Sequence, residues 1–291
     1  MEQQQPLLGI IGGSGLYDMT GLSDVETRSV ETPWGLPSDD VVVGTLSGCR
    51  TAFLPRHGRG HRFTPTEVNY RANVAALKHL GCRFVVSVSA TGSMKEEIAP
   101  GDLVVVDQFI DRTVARPRSF FGDGIVGHVG FADPICPVLR GVLLEAARAT
   151  AATTHDGGTY ICIEGPQFST RAESLLYRSW GVSVIGMTNM PEARLAREAG
   201  LSYATLALAT DYDCWRESEE AVSVEAVVAV LHRNVATAQD VIRRVAQRLA
   251  GPDAPSNPWT NSIAGAVMTS PEARALEARR KLRFIAGSLL G

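Results

Sequence analysis

Short apolar runs alternate with amphipathic stretches along the chain. Residues 7–11 form an apolar run ending in Gly12-Gly13-Ser14-Gly15, the pattern of a strand that leads into a turn. Residues 41–46 and 50–54 predict a strand pair turning at Ser47-Gly48. A helix is expected next. Thr64 and Glu67 have capping-box spacing, Pro65 suits the first helical position, Val68, Ala72, Ala75 and Leu80 share a face, and Gly81 closes it. Residues 84–89 make a short run of the kind a strand buried on both faces requires, and 102–106, 159–163, 182–186 and 202–209 resemble it. Further helices are predicted at 137–153, 171–179, 191–199 and 222–249. Alternation at this spacing predicts an α/β fold with a mostly parallel or mixed sheet covered on both faces. Residues 251–262 carry Pro252, Pro255 and Pro258 and read as a loop, after which Ser270-Pro271-Glu272 starts a charged helix reaching about residue 290. That tail is too short for a second domain. Residues 1–250 are therefore expected to form one domain, with 251–291 adding a loop and a C-terminal helix packed on it.

Composition narrows the class. The 291 residues are 45% hydrophobic and 20% charged, which excludes a disordered or collagen-like chain. Lysine and arginine number 28 against 31 acidic residues, for a net charge of −3; with no broad basic field, nucleic acid is not an expected partner. No apolar run has the length of a membrane span, and the absence of a basic residue before Arg28 argues against a secretory or mitochondrial targeting segment. Cys49, Cys82, Cys136, Cys162 and Cys214 are widely spaced with no C-x-x-C, so reduced thiols in a cytoplasmic protein are expected, and no metal site.

Candidate chemistry gathers after the predicted strands. Gly12-Gly13-Ser14-Gly15 would let the backbone approach an anion, or would simply make a tight turn; it is neither a dinucleotide fingerprint nor a P-loop. Arg56-His57-Gly58 offers a bidentate anion grip and a proton carrier, against the alternative of a solvated basic turn. Ser89-Ala90-Thr91-Gly92-Ser93 places small and hydroxyl residues where open α/β sheets bind ligands. Phe168, in Glu164-Gly165-Pro166-Gln167-Phe168-Ser169, would stack on a base if exposed or anchor the loop if buried. Thr188 precedes a helix, where it would help bind an anion, unless Thr188 or Asn189 simply caps the helix. Asp211 and Asp213 follow the longest apolar strand; at i and i+2 of an extended segment they would share a side and push their pKa values apart. Anion donors, an aromatic and two acids together suit a nucleoside beside a phosphate.

These segments, with Val68-Asn69-Tyr70-Arg71-Ala72-Asn73, Pro100-Gly101-Asp102 and Met187-Thr188, closely resemble the 5′-methylthioadenosine phosphorylases, a trimeric branch of the purine nucleoside phosphorylases. The resemblance runs from about Gly9 to Val230 and fades toward the C-terminus. It implies a single domain with a central mixed, partly closed β-sheet flanked by helices. It also implies a cytoplasmic homotrimer that uses phosphate as co-substrate, with no metal or organic cofactor, to release adenine and 5-methylthioribose 1-phosphate from methylthioadenosine. Carried over by position, Ser14, Arg56, His57, Ser89, Ala90 and Thr188 would hold phosphate, with Ser at 14 and 89 where relatives often have Thr. Phe168 and Ser169 would meet the adenine, Met187 the ribose, and Asp211 and Asp213 the N7 and N6 positions, with Asp211 as the acid. Val224 and Val227 would line the methylthio pocket, to which a neighbouring subunit adds His128. Some relatives have Asn at the place of Gly186, which leaves that glycine without an assigned role. A 6-oxopurine nucleoside phosphorylase is the main alternative and would call for an amide in place of Asp211. An NAD-binding oxidoreductase would need the glycine fingerprint that is missing here, and a non-catalytic nucleoside-binding protein would not need both the anion donors and the acids.

Overall fold

The computed structural model describes residues 7–13, 16, 19–216 and 224–287, leaving aside the side chains of 224–229 and 231–233. Among the described residues the chain runs β1 (Leu8–Gly12), β2 (Ser23–Arg28), β3 (Val41–Leu46), β4 (Cys49–Pro55), α1 (Tyr70–His79), β5 (Phe84–Ser93), β6 (Leu103–Val105), β7 (Gln108–Arg112), α2 (Pro137–Arg148), β8 (Thr154–Asp156), β9 (Thr159–Ile163), α3 (Arg171–Ser179), β10 (Val184–Gly186), α4 (Asn189–Glu198), β11 (Ser202–Asp211), α5 (Val224–Ala250) and α6 (Leu276–Ala286).

The strands form one mixed sheet. Its main path is β2-β3-β4-β1-β5-β10-β9-β7, and β11 branches from β5 to carry β6 and β8. Among the described residues β2, β7 and β8 each pair on one side only, so the sheet expected to be partly closed is open and branched in its pairing. β5 and β11 are buried along nearly their whole length, as their continuous apolar runs require. Side chains such as Phe84, Tyr203 and Leu103 are almost wholly enclosed, and each such burial contributes about 1.5–3 kcal/mol. α2, α4 and α5 pack on β11, and α1 packs on α4.

β4, β5 and β11 are tied in parallel through β1 and β5, so all four strands end on the same edge. β10 runs antiparallel to the end of β5, with Ile185 opposite Gly92, which sends residues 186–188 back alongside residues 91 to 89. That edge collects the motifs picked out in the sequence.

Some boundaries moved. Thr64 and Glu67 do form their box, with the Thr64 N–H 3.0 Å from Oε2 of Glu67, but it closes a turn rather than a helix. α1 starts only at Tyr70, where Asn69 accepts from the Ala72 N–H at 3.2 Å. Asn69 also donates to the Trp34 carbonyl at 2.8 Å, so one side chain caps the helix and pins a distant loop. The C-terminal helix begins not at Ser270 but at Leu276, after a single 3-10 turn. β2, β7 and β8 carry no recognisable apolar run; they are short or exposed edges.

The C-terminal segment packs on the same core. Asn257 accepts from Ser202 at 2.7 Å and donates to the carbonyls of Gly200 and Arg83 at 2.9 and 3.0 Å, while Leu282 and Ile285 are buried.

Candidate active site

Arg56 follows β4 and is only 2% exposed. Its Nε donates to Glu192 at 3.0 Å, Nη2 to Ser87 at 2.6 Å and Nη1 to the Val88 carbonyl at 3.1 Å. Burial opposes its charge, but the Glu192 carboxylate more than compensates and holds the guanidinium above its ordinary value. Arg56 is therefore a fixed cation under the strand ends, not a solvated turn.

His57 is buried beside it. Nδ1 lies 2.8 Å from the Phe63 carbonyl, which can only accept, so the ring proton sits there and Nε2 remains an acceptor. Burial, then the neighbouring Arg56, pushes its pKa down to about 4. A neutral ring in this tautomer can accept a hydrogen bond from the O–H of a hydrogen phosphate but cannot donate to its oxygens, so the proton-carrying role expected of His57 narrows to hydrogen-bond acceptance.

The Ser89 hydroxyl lies 3.1 Å from that of Thr188 and 3.3 Å from that of Tyr160. Thr188 stands at the N-cap of α4 yet makes no side-chain cap bond. Its hydroxyl faces Ser89 instead, which disposes of the simple capping reading. Ala90 sits between Ser89 and Thr91 on β5 and is partly exposed.

Three residues further along β5, Gly92 pairs with Asp211 across a register shift at the end of β11. A Cβ on Gly92 would lie 3.0 Å from Oδ1 of Asp211, so glycine allows this approach. The acids do not share a side of an extended segment as expected. The strand ends at Asp211, and Asp213 turns into the left-handed region at φ 52°. Its N–H donates to Oδ1 of Asp211 at 2.8 Å, while Thr210 donates to Oδ2 at 2.7 Å. Asp213 accepts from Ser169 at 3.0 Å and from Ser174. Trp215 anchors the turn by donating to the Ser93 carbonyl at 2.7 Å.

Phe168 is 45% exposed, so it is available to stack rather than buried as an anchor. Met187 is partly exposed, and its sulfur packs so closely on Gly165 that a Cβ there would lie 2.6 Å away. Ser14 lies outside the described residues. Val224 and Val227 open α5, with side chains outside the description. His128 is exposed, and its N–H donates to the Ala266 carbonyl at 2.9 Å, which ties it to the C-terminal segment.

Four further residues shape the site. Glu192 fixes Arg56, Ser174 supports Asp213, and Tyr160 joins the Ser89–Thr188 pair. Arg116 is buried and donates to the carbonyls of Met187, Met190 and Glu164 at 2.7, 2.7 and 2.6 Å, fastening the two walls together. Nothing local distinguishes Arg116 from Arg112 and Arg118, and Glu192 reads in the sequence as an ordinary acid in the first turn of a helix. Among the described residues no cluster of His, Cys, Asp or Glu could hold a metal ion, and no helix is long and apolar enough to cross a membrane.

Residues 7–247 match the family model of the phosphorylase superfamily. The S-methyl-5′-thioadenosine phosphorylase of Geobacter sulfurreducens is 56% identical over 290 residues, 99% of each chain. That of Cereibacter sphaeroides is 53% identical over 285 residues, 98% of each. A methylthioadenosine phosphorylase structure from an antarctic soil metagenomic library superposes with a TM-score of 0.91 at 49% identity, covering 97% of this chain and 99% of that one. A variant adenosine/methylthioadenosine phosphorylase from Schistosoma mansoni, solved with methylthioadenosine, gives 0.81 at 37% identity over 90% of this chain and 96% of its own.

Proposed function

The chain belongs to the phosphorylase superfamily, and on that premise we propose that it cleaves the N-glycosidic bond of S-methyl-5′-thioadenosine with inorganic phosphate, yielding adenine and 5-methylthio-α-D-ribose 1-phosphate. The observation that carries this reading is the arrangement along β5. Ser89 meets Thr188 near Arg56, and Gly92, three residues on, meets Asp211. Three residues of strand span about 10 Å, room for a ribose between an anion and a base.

Phosphate would rest on the Ser89 and Thr188 hydroxyls, the Ala90 N–H, Arg56 and His57, with Ser14 from the preceding loop. His57 Nε2 would accept a hydrogen bond from the phosphate's O–H. Held below the ribose, the dianion would be positioned for in-line attack at C1′, and its charge would stabilise the oxocarbenium character that develops there. Met187 would hold the sugar, and Phe168 would stack on the purine with Ser169 alongside. N7 offers a lone pair, so Asp211 must carry a proton to meet it, and it would donate that proton as electrons flow into the leaving base. Asp213, already an acceptor for two serines, would accept from the N6 amino group. The anomeric carbon would invert, with no covalent enzyme intermediate.

No cofactor is needed in this scheme. The active unit would be a cytoplasmic homotrimer serving purine and methionine salvage. Val224, Val227 and His128 of the partner subunit would line the methylthio pocket. The test is incubation with methylthioadenosine, with and without phosphate, followed by chromatography. Adenine release that requires phosphate is the expected result; equal release without phosphate would mean hydrolysis and overturn the reading.

A further inference from the structure

Gly186 ends β10, and nothing in its backbone calls for glycine, since its φ is not in the left-handed region. What calls for it is Tyr160. A Cβ on Gly186 would overlap the Tyr160 hydroxyl oxygen and lie 2.7 Å from Cζ of its ring. The tip of the tyrosine thus occupies the place where a side chain at 186 would stand.

Tyr160 is fully buried on β9, and its hydroxyl does not end in a routine backbone contact. It reaches the pair of hydroxyls that the proposed function gives to phosphate. Ser89 Oγ is 3.3 Å away, and Ser89 Oγ in turn lies 3.1 Å from the Thr188 hydroxyl. A phenol has one proton to give, and the alcohol oxygen within its reach is that of Ser89.

Each alcohol has one proton. In the structure Ser89 gives its proton to the Ala90 carbonyl, at 3.2 Å, while also lying 3.1 Å from Thr188. To bind an anion, Ser89 must turn its proton away from the Ala90 carbonyl, and a donor to its oxygen from behind favours that rotamer. Resting on the phosphorolysis reading above, we propose that Tyr160 is a positioning residue for phosphate. Its hydroxyl donates to Ser89 Oγ so that the Ser89 proton turns from the Ala90 carbonyl toward the anion, and residue 186 is glycine to leave room for that hydroxyl. Chains of hydrogen bonds polarise one another, so a phenol behind the alcohols also strengthens them as donors.

Tyr160→Phe keeps the ring and removes the hydroxyl. Steady-state kinetics of adenine release should show the KM for phosphate raised about tenfold, as for loss of one hydrogen bond of ordinary strength, with the KM for methylthioadenosine and kcat within a factor of about three. The melting temperature should stay near wild type, yet phosphate should raise it less. Gly186→Ala should displace the ring tip and raise the phosphate KM at least as far. Because that variant could fail to fold, Tyr160→Leu/Gly186→Ala is the companion: it removes the overlap, so it should regain the wild-type melting temperature while the phosphate KM stays high. An unchanged phosphate KM in Tyr160→Phe overturns the assignment, as does an equal rise in both KM values or a double variant with normal phosphate KM. Wild-type protein that releases adenine without phosphate would overturn this assignment together with the reading beneath it.

Discussion

Glu192→Gln isolates what holds the buried cation of the site. Glu192 is wholly enclosed and grips Arg56 with both oxygens, at 3.0 Å from Nε and 3.3 Å from Nη2, while Tyr203 donates to it at 2.8 Å. The amide keeps the shape but removes the charge, and it turns an NH2 group toward donors. Breaking a buried ion pair from one side costs about 3–5 kcal/mol, because the remaining charge is left uncompensated. At roughly 2.1 cal/mol/K per residue, the unfolding entropy of 291 residues is on the order of 0.6 kcal/mol/K, so the melting temperature should fall by about 5–8 °C. Phosphate adds a second signature. An anion beside Arg56 replaces the missing counter-charge, so saturating phosphate should raise the melting temperature of the variant more than that of the wild type. Scanning calorimetry with and without phosphate measures both effects. An unchanged melting temperature, or a phosphate shift smaller than that of the wild type, would refute the view that Glu192 and the substrate anion compensate the same guanidinium.

Two further outcomes are expected. Asp211→Asn should lower kcat on methylthioadenosine by roughly 10²–10⁴, as for loss of a general acid, and should narrow the gap to inosine, which the wild type should disfavour by up to ~10⁴–10⁵ because a 6-oxo group meets acceptors without donors; wild-type turnover of inosine at the methylthioadenosine rate would instead favour the 6-oxopurine reading. Stability should respond to pH through two groups of opposite sign. Burial lifts Glu198 from 4.5 to about 7 against the donors Phe120 and Ser119, so its contribution is lost as pH rises through that window. His57 is lowered from 6.5 to about 4, so its contribution is lost as pH falls through that range. The two windows overlap with opposite signs, so the wild type should change little between 4.5 and 6.5, and Glu198→Gln should uncover the rise in denaturant midpoint with pH that His57 alone produces; the same profile in both proteins would contradict the assignment.

Local pattern was enough to determine much of this protein. The runs that became β5 and β11, the β3–β4 hairpin and α3 at its observed bounds all follow from period and termini, because a strand buried on both faces and a helix start each leave a mark within a few residues. The motifs at Arg56, Thr188 and Asp211 were visible for the same reason, since each sits where a strand ends or a helix begins, whereas Ser89, expected at a strand end, lies within β5, which continues to Ser93. Tertiary structure decided the rest. Edge strands β2, β7 and β8 bury too little to impose a pattern. The acid pair reads as an extended i, i+2 couple until a bulge and a left-handed turn separate its members. Glu192 meets Arg56 across 136 residues, and Arg116 reaches Met187 across 71. Tyr160 fills the room beside Gly186 only because β9 lies parallel to β10. Such contacts depend on which strands become neighbours, a choice made by burying the whole sheet at once, so no short stretch of the chain contains them.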